Sequence, residues 1–366
     1  MWLNRLLLIG FILFGWSAGA QVSNTGLMDT LDGIHIQGLS VGGYVDSYFG
    51  YLADSGQKEL PLFVSSNRLN EMNINLAYAD IRYADRDVRA RIVPAFGTFM
   101  NANYAREQGT LRNLLEASGG ICLSKKKDVW IDVGIFGSPF TNESAISKDH
   151  LMYTRSLAPE YVPYYLAGAR LSAPISKKLK GYFYALNGWQ EIADQNASKS
   201  VATQLEYRPD SNQLFNWNVY VGNEQGEIHP NYRMRYFSDV YWIYSPKSRW
   251  HFTSCMYGGL QEVVQVSVRR SITWWQANFI ARYQWSKRFS VSGRIEYFSD
   301  PGLVVLPLFT MLSGIANGST SACFNVQLND HAMFRLETRW FYAQDYHVVD
   351  FTGVNWWTVG NLTVWF

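Results

Sequence analysis

The sequence predicts an all-β fold: a transmembrane antiparallel up-and-down β-barrel of about 16 strands. Three observations predict it. Runs of roughly ten residues with alternating side-chain character recur from about residue 36 to the final Phe366. Short polar turns and long loops separate these runs by turns. Aromatic residues make up 16% of the chain and charged residues only 17%, which suits a wall meeting lipid better than a soluble periplasmic enzyme.

Residues 1–20 read as a secretory signal. Arg5 supplies the positive start, Leu6 to Trp16 the apolar stretch, and Ala18–Gly19–Ala20 a small-residue cleavage site. That stretch is shorter than the roughly 20 residues a spanning helix needs. No cysteine follows the cleavage site closely, so a lipid anchor is not expected. Residues 21–35 form a short periplasmic lead-in and 36–366 the barrel, which accommodates more residues than most single domains hold.

Candidate strands lie near 36–51, 70–83, 87–97, 111–123, 129–138, 162–174, 179–187, 200–208, 213–224, 231–244, 249–258, 271–285, 288–298, 320–328, 331–343 and 355–366. A phase change between Tyr78 and Ile81 reads as a bulge, and Pro94, which donates no ladder bond, marks a bulge or strand end. The long connections are 52–69, 98–110, 139–161, 188–199, 225–230, 259–270, 299–319 and 344–354. Bacterial barrels put short turns in the periplasm and long loops outside, so an even strand count brings both chain ends to the periplasmic side.

Alternation assigns the faces. Thr273, Trp275, Ala277, Phe279, Ala281, Tyr283 and Trp285 point to lipid, while Gln276, Asn278, Arg282 and Gln284 point inward. Trp356, Thr358, Leu362, Val364 and Phe366 share the outer face of the last strand; Asn361 and Thr363 take the inner one. An Arg or Lys on the lipid face at mid-bilayer costs about 2–4 kcal/mol, so charges at these positions face inward. The strands must close on one another, because unpaired backbone groups in hydrocarbon cost several kcal/mol each. About 16 strands is also the size at which side chains no longer fill a barrel, which predicts a wet axis.

The charged pore lining read from the pattern comprises Arg82, Arg89, Arg91, Asp132, Arg170, Arg233, Arg235, Arg282, Arg294, Glu296, Arg335, Glu337 and Arg339. Counting every inward Arg against every inward carboxylate gives a slight excess of cations, hence a weak preference for anions; a ladder that only holds the wall in shape is equally consistent. Segment 139–161, with Asn142, Glu143, Asp149 and Arg155, is the candidate constriction loop. Segment 299–319 carries the apolar run 302–309 and reads equally as an apolar plug, a subunit contact or part of a strand.

Several stretches are similar to the OmpL-like β-barrel porins of Gram-negative bacteria: Gly42–Gly43–Tyr44–Val45–Asp46, then Asn70–Glu71–Met72–Asn73–Ile74–Asn75–Leu76–Ala77. The block from Gly137 to Glu143 continues through Tyr153–Thr154–Arg155–Ser156 and Pro163–Tyr164–Tyr165–Leu166–Ala167–Gly168. Asn187–Gly188–Trp189 and Gly222–Asn223–Glu224 follow in order. The resemblance covers most of the chain after residue 20 and rests on barrel patterning. It implies a channel in the outer membrane and lends no catalytic residues. In many general porins the third external loop folds inward, and 139–161 is the third here. In such barrels a C-terminal strand ending in an aromatic is read by the barrel-assembly machinery, the role the resemblance gives Phe366.

The expected function is therefore a porin passing small hydrophilic solutes by passive diffusion, with a substrate-specific sugar or anion channel as the alternative. Inward Tyr44, Tyr48, Trp130, Trp274 and Trp357 could stack sugar rings, although rim packing explains them more simply. An outer-membrane hydrolase is the distant rival: His150, His229 and His347 lie in or beside external loops without a serine–acid arrangement. No enzymatic activity, cofactor or metal site is expected, and Cys122, Cys255 and Cys323 lack the spacing of a disulfide or metal framework. The expected partners are outer-membrane lipid, small polar solutes, the assembly machinery and, by analogy with sixteen-stranded porins, two further copies in a homotrimer. Nothing is basic enough for nucleic acid.

Overall fold

The computed structural model describes residues 34–36, 38–52, 58–60, 63–265, 268–306, 315–343 and 356–366. The expected signal segment and loop 344–354 lie outside them. The strands are β1 (Ile34–Ile36), β2 (Leu39–Tyr51), β3 (Met72–Ala84), β4 (Val88–Phe96), β5 (Leu114–Ser124), β6 (Val129–Gly137), β7 (Tyr165–Pro174), β8 (Leu179–Leu186), β9 (Ser200–Tyr207), β10 (Gln213–Asn223), β11 (Tyr232–Tyr244), β12 (Trp250–Gln265), β13 (Val268–Gln284), β14 (Phe289–Asp300), β15 (Ile315–Asn329), β16 (Ala332–Ala343) and β17 (Trp356–Trp365). Two short helices, α1 (Thr98–Asn103) and α2 (Leu157–Glu160), lie in the connections.

From β2 to β17 each strand pairs antiparallel with its successor, and β17 pairs back onto β2 from Thr358↔Tyr51 to Trp365↔Tyr44. Sixteen strands thus close a cylinder with no free edge in hydrocarbon. At the seam Phe366 and Gly43 exchange both backbone hydrogen bonds, at 2.8 and 3.0 Å. Gly43 leaves room there: a Cβ on it would lie 2.3 Å from the tip of the Phe366 ring, which would have to shift. Where β17 stops, β1 takes over the same edge of β2, pairing Ile34↔Val41 to Ile36↔Leu39.

Side-chain parity follows the sequence. Trp275, Phe279 and Trp285 are about 40% exposed on the outer face, while Gln276 and Asn278 are buried inside. On β17, Trp357, Val359, Asn361 and Thr363 are buried and Leu362, Val364 and Phe366 exposed. Pro94 sits at a register shift against β5. The expected bulge in β3 is displaced: the register against β2 slips between Asp46↔Leu76 and Ser47↔Ile74, so Asn75 is the extra residue. The phase change belongs there because Asn75 turns inward, donating to Asp46 Oδ2 at 3.0 Å and accepting from Ser66 N at 2.8 Å.

The connection at 259–270 is not a long loop. The β12–β13 ladder runs on to Gln265↔Val268, extending the hairpin well past residue 258, where the strand was expected to end. Gly259 makes room, since a Cβ there would sit 2.1 Å from the Trp274 ring. Likewise 315–319 is strand, and only the stretch between Asp300 and Ile315 connects β14 to β15. All three cysteines are free; Cys255 and Cys323 are buried.

Candidate functional site

Inward side chains and inward-folded connections share the barrel interior. Residues 138–164, between β6 and β7, start and end together, with Ser138 N donating to Tyr164 O at 3.0 Å, and almost every residue between is buried. Thr141 opens the segment at φ 64°, a strained conformation for a β-branched residue. Its N–H is held by Asp239 Oδ2 of β11 at 2.5 Å. Asn142 reaches Thr253 and Asn278 on β12 and β13 at 2.9 and 3.1 Å. Ser147 meets Tyr44 of β2 and Arg335 of β16, and α2 begins with Leu157 N on Glu296 of β14. The segment therefore crosses from β6–β7 to the opposite wall.

Glu337 is the main anchor. Its Oε2 accepts Tyr153 N and Thr154 N, both at 2.9 Å, and its Oε1 accepts Thr154 Oγ1 and, at 3.1 Å, Arg294. Arg294 also donates to Thr154 O at 2.7 Å, and Arg339 to Arg155 O at 3.0 Å. Arg294 and Arg339 share Glu296, Arg339 at 2.5 Å. Arg335 makes no ion pair among the described residues; it donates to Ser147 O, Met152 O, Asn361 Oδ1 and Thr363 Oγ1. Wall charges thus spend their hydrogen bonds on the segment's backbone.

Within the segment, Arg155 donates to the carbonyls of Tyr153, Ser144 and Ala145, closing its turn, and Glu143 accepts Ser156 N at 2.9 Å. Burial pushes the Glu143 and Glu160 carboxyls up and holds His150 well below its ordinary range. Asp149 is the segment's most exposed acid, ion-paired to Lys148 at 3.0 Å. The reading of 139–161 by its polar residues missed the apolar ones: Phe140, Ile146, Met152, Tyr153 and Leu157 are buried in the interior clusters.

A second insertion was not read from the sequence. Residues 63–69 also enter the barrel, Phe63 packing on Phe341 and Trp357, Val64 N bonding Glu160 and Ser66 Oγ bonding Tyr153 OH. Phe63 and Leu69 in a nominally external loop were the available signal. Of the 299–319 run, Val304 and Leu306 pack into the same interior cluster, and the rest to 314 lies outside the described residues. Tyr44, Tyr48, Trp130, Trp274 and Trp357 are all buried, Tyr44 stacked on Tyr78 at 4.9 Å and Trp130 under Arg89 at 4.4 Å, so none offers a free ring face.

The inward charges fall into two groups. Arg91, Arg235, Arg294, Arg335 and Arg339 are buried, as is every carboxylate on the inward face of a described strand: Asp46, Asp80, Glu116, Asp132, Glu206, Asp239, Glu296, Asp300 and Glu337. Asp80 is clasped by Arg82 and Arg91, and Asp132 by Arg89 and Arg170. The inward strand charges that keep solvent exposure are cations. Toward the short-turn end these are Arg82, Arg89, Arg170, Lys180, Arg208 and Arg282; at the long-loop end are Arg233, bonded to the Pro230 and Tyr232 carbonyls, and Arg270 of β13. Arg282 makes no ion pair among the described residues and donates instead to His150 O at 2.7 Å and Ser292 Oγ at 3.3 Å. Lys180 and Arg208, at the strand ends, complete the group.

A closed sixteen-strand barrel with polar inner face, apolar outer face and an inward-folded third loop defines a porin-type outer-membrane protein. The family of putative beta-barrel porin-2, OmpL-like proteins matches residues 38–356, and the chain belongs to it. None of the curated proteins compared with the chain matches it. Among solved structures, the outer-membrane channel DcaP of Acinetobacter baumannii is similar at a TM-score of 0.63 and 10% identity, over 92% of this chain and 100% of that one. OmpF of Salmonella typhi, in complex with daunomycin, is similar at 0.62 and 12% identity, over 91% and 99%. The in-vitro folded, trimer form of OmpT of Vibrio cholerae is similar at 0.58 and 9% identity, over 90% and 99%.

Proposed function

We propose that the protein is an outer-membrane channel for passive diffusion of small hydrophilic solutes, with anions preferred. The supporting observation is that the inward strand carboxylates lie buried, held by arginines, asparagines or backbone amides, while Arg82, Arg89, Arg170, Lys180, Arg208 and Arg282 keep contact with solvent. A solute moving along the axis then meets net positive charge, and fixed charge in a channel biases which ions pass. Segment 138–164 acts as the constriction, with Asn142, Glu143 and Arg155 shaping it and Asp149 its one solvent-facing acid. The sugar-track reading is less favoured, because the inward aromatics are covered.

Phe366, 62% exposed at the seam, serves as the assembly signal. A homotrimer is the assembly proposed, as the trimer form of Vibrio cholerae OmpT has the same fold; chemical cross-linking of the protein in membranes tests it.

Selectivity is tested by the reversal potential in a KCl gradient across a planar bilayer. The expected sign is that of chloride permeating faster, reduced by Arg282→Gln. A clear preference for potassium refutes the proposal.

A further inference from the structure

The short turns carry charge that the channel reading does not use. Four of them hold nine of the chain's 32 Lys and Arg but only one of its 30 Asp and Glu. They are Lys125, Lys126, Lys127 and Asp128 between β5 and β6, Lys177 and Lys178 between β7 and β8, Lys247 and Arg249 between β11 and β12, and Lys287 and Arg288 between β13 and β14. Each turn nets +2, giving +8 where the whole chain nets +2, so the remainder nets −6. The other turns are neutral or acidic: Asp85, Arg86 and Asp87 after β3, Arg208 and Asp210 after β9, and Asp330 after β15. The cationic arc therefore spans β5 to β14, more than half of the periplasmic rim, with the neutral β9–β10 turn inside it.

All nine cations are exposed. Lys125 pairs with Asp87, and the other eight make no ion pair among the described residues. A row of outward aromatics fixes their depth. Trp242, Tyr244, Phe252, Trp250 and Tyr283 form a chain of ring contacts 4.9 to 6.5 Å apart, and Trp285 stacks on Phe289 beside it. Such rows mark the membrane–water interface. Arg249 Nη1 donates to Tyr283 OH at 3.2 Å and Arg288 lies 5.6 Å over Phe289, so cation and girdle are in contact. The arc lies at the depth of the inner-leaflet headgroups.

We propose that this arc binds the anionic phospholipid headgroups of the inner leaflet. Clustered Lys and Arg at a bilayer surface attract anionic lipid, and their flexible stems reach along the apolar belt to place the charge among phosphates. The proposal is independent of solute passage, and its readout is lipid association rather than conductance.

The test reconstitutes the full protein in phosphatidylcholine vesicles containing either brominated phosphatidylglycerol or brominated phosphatidylcholine. Tryptophan quenching, to which Trp250 and Trp285 contribute, gives the relative association of the two lipids. Phosphatidylglycerol is expected to be favoured about threefold or more at low salt, falling close to parity near ~1 M NaCl as the charges are screened. Replacing all nine of these Lys and Arg together by Gln should abolish the preference while leaving the heat-dependent gel mobility of the folded barrel unchanged. The wild-type salt titration decides the matter even where that variant fails to fold. Equal association at low salt, as an anionic protein or glycan partner would leave it, or a preference that persists at high salt or in the folded variant, overturns the proposal.

Discussion

At the scale of single residues, the interior depends on a few buried carboxylates that hold backbone as well as arginines. Glu337→Ala leaves Tyr153 N, Thr154 N and Arg294 short of an acceptor. Breaking a buried pair on one side costs about 3–5 kcal/mol. Because the β16 ladder is untouched, the loss should fall on the segment, seen as faster hydrogen exchange in peptides spanning 150–160; unchanged exchange would show that Glu337 does not hold it. Outside the membrane, burial and the nearby Glu224 push the Glu191 carboxyl up to about 7. An acid raised in the fold contributes stability below its ordinary pKa and loses it as pH rises through about 7. Loop 187–199 should thus be protected at pH 6 and cleaved faster at pH 8 by added protease, and Glu191→Gln should flatten that difference. The inward parity of Arg294, Glu337 and Arg339 was legible from period-2 alternation. Their partners were not, because these are carbonyls and amides of a segment some 140 or more residues away in sequence.

At the scale of elements, alternation located all sixteen wall strands, since each must present one face to lipid. It ended one strand too early. The strand expected to end at 258 runs on through Gly258–Gly259 to Gln265, one glycine facing out and the other giving way to Trp274. The two positions provide their own control. Gly259→Ala should drive the Trp274 ring from its place beside Trp189 and Arg235, costing about 1–3 kcal/mol, visible as a lower urea midpoint and altered tryptophan emission. Gly258→Ala meets nothing within 4 Å and should leave both unchanged. Equal effects at the two sites would contradict this packing. Likewise the bulge at Asn75 was read a few residues late, because its cause is a hydrogen bond to Asp46 on the neighbouring strand.

At the scale of the molecule, strand count gave the cylinder but not its filling. Side-chain period carries no information on whether a loop turns outward or inward. Phe63, Phe140, Met152, Tyr153 and Leu157 were the clue, being apolar residues in segments read as external. The wide, wet axis that sixteen strands predict is consequently shared with residues 63–69 and 138–164, and five of the ten arginines expected to face water are instead buried against protein. The strand charges that remain solvent-facing are cationic and most lie toward the periplasmic end, which is the basis for the proposed anion preference.

Single-channel conductance in planar bilayers tests the central claim most directly, comparing the wild type with a variant whose residues 139–163 are replaced by a short Gly–Ser linker. The ends of that segment already meet at the bond from Ser138 N to Tyr164 O, so the wall can close without it. The account expects small, discrete, anion-selective steps from the wild type and several-fold larger, less selective steps from the variant. Absence of any conductance in both, or identical steps from the two, would contradict it.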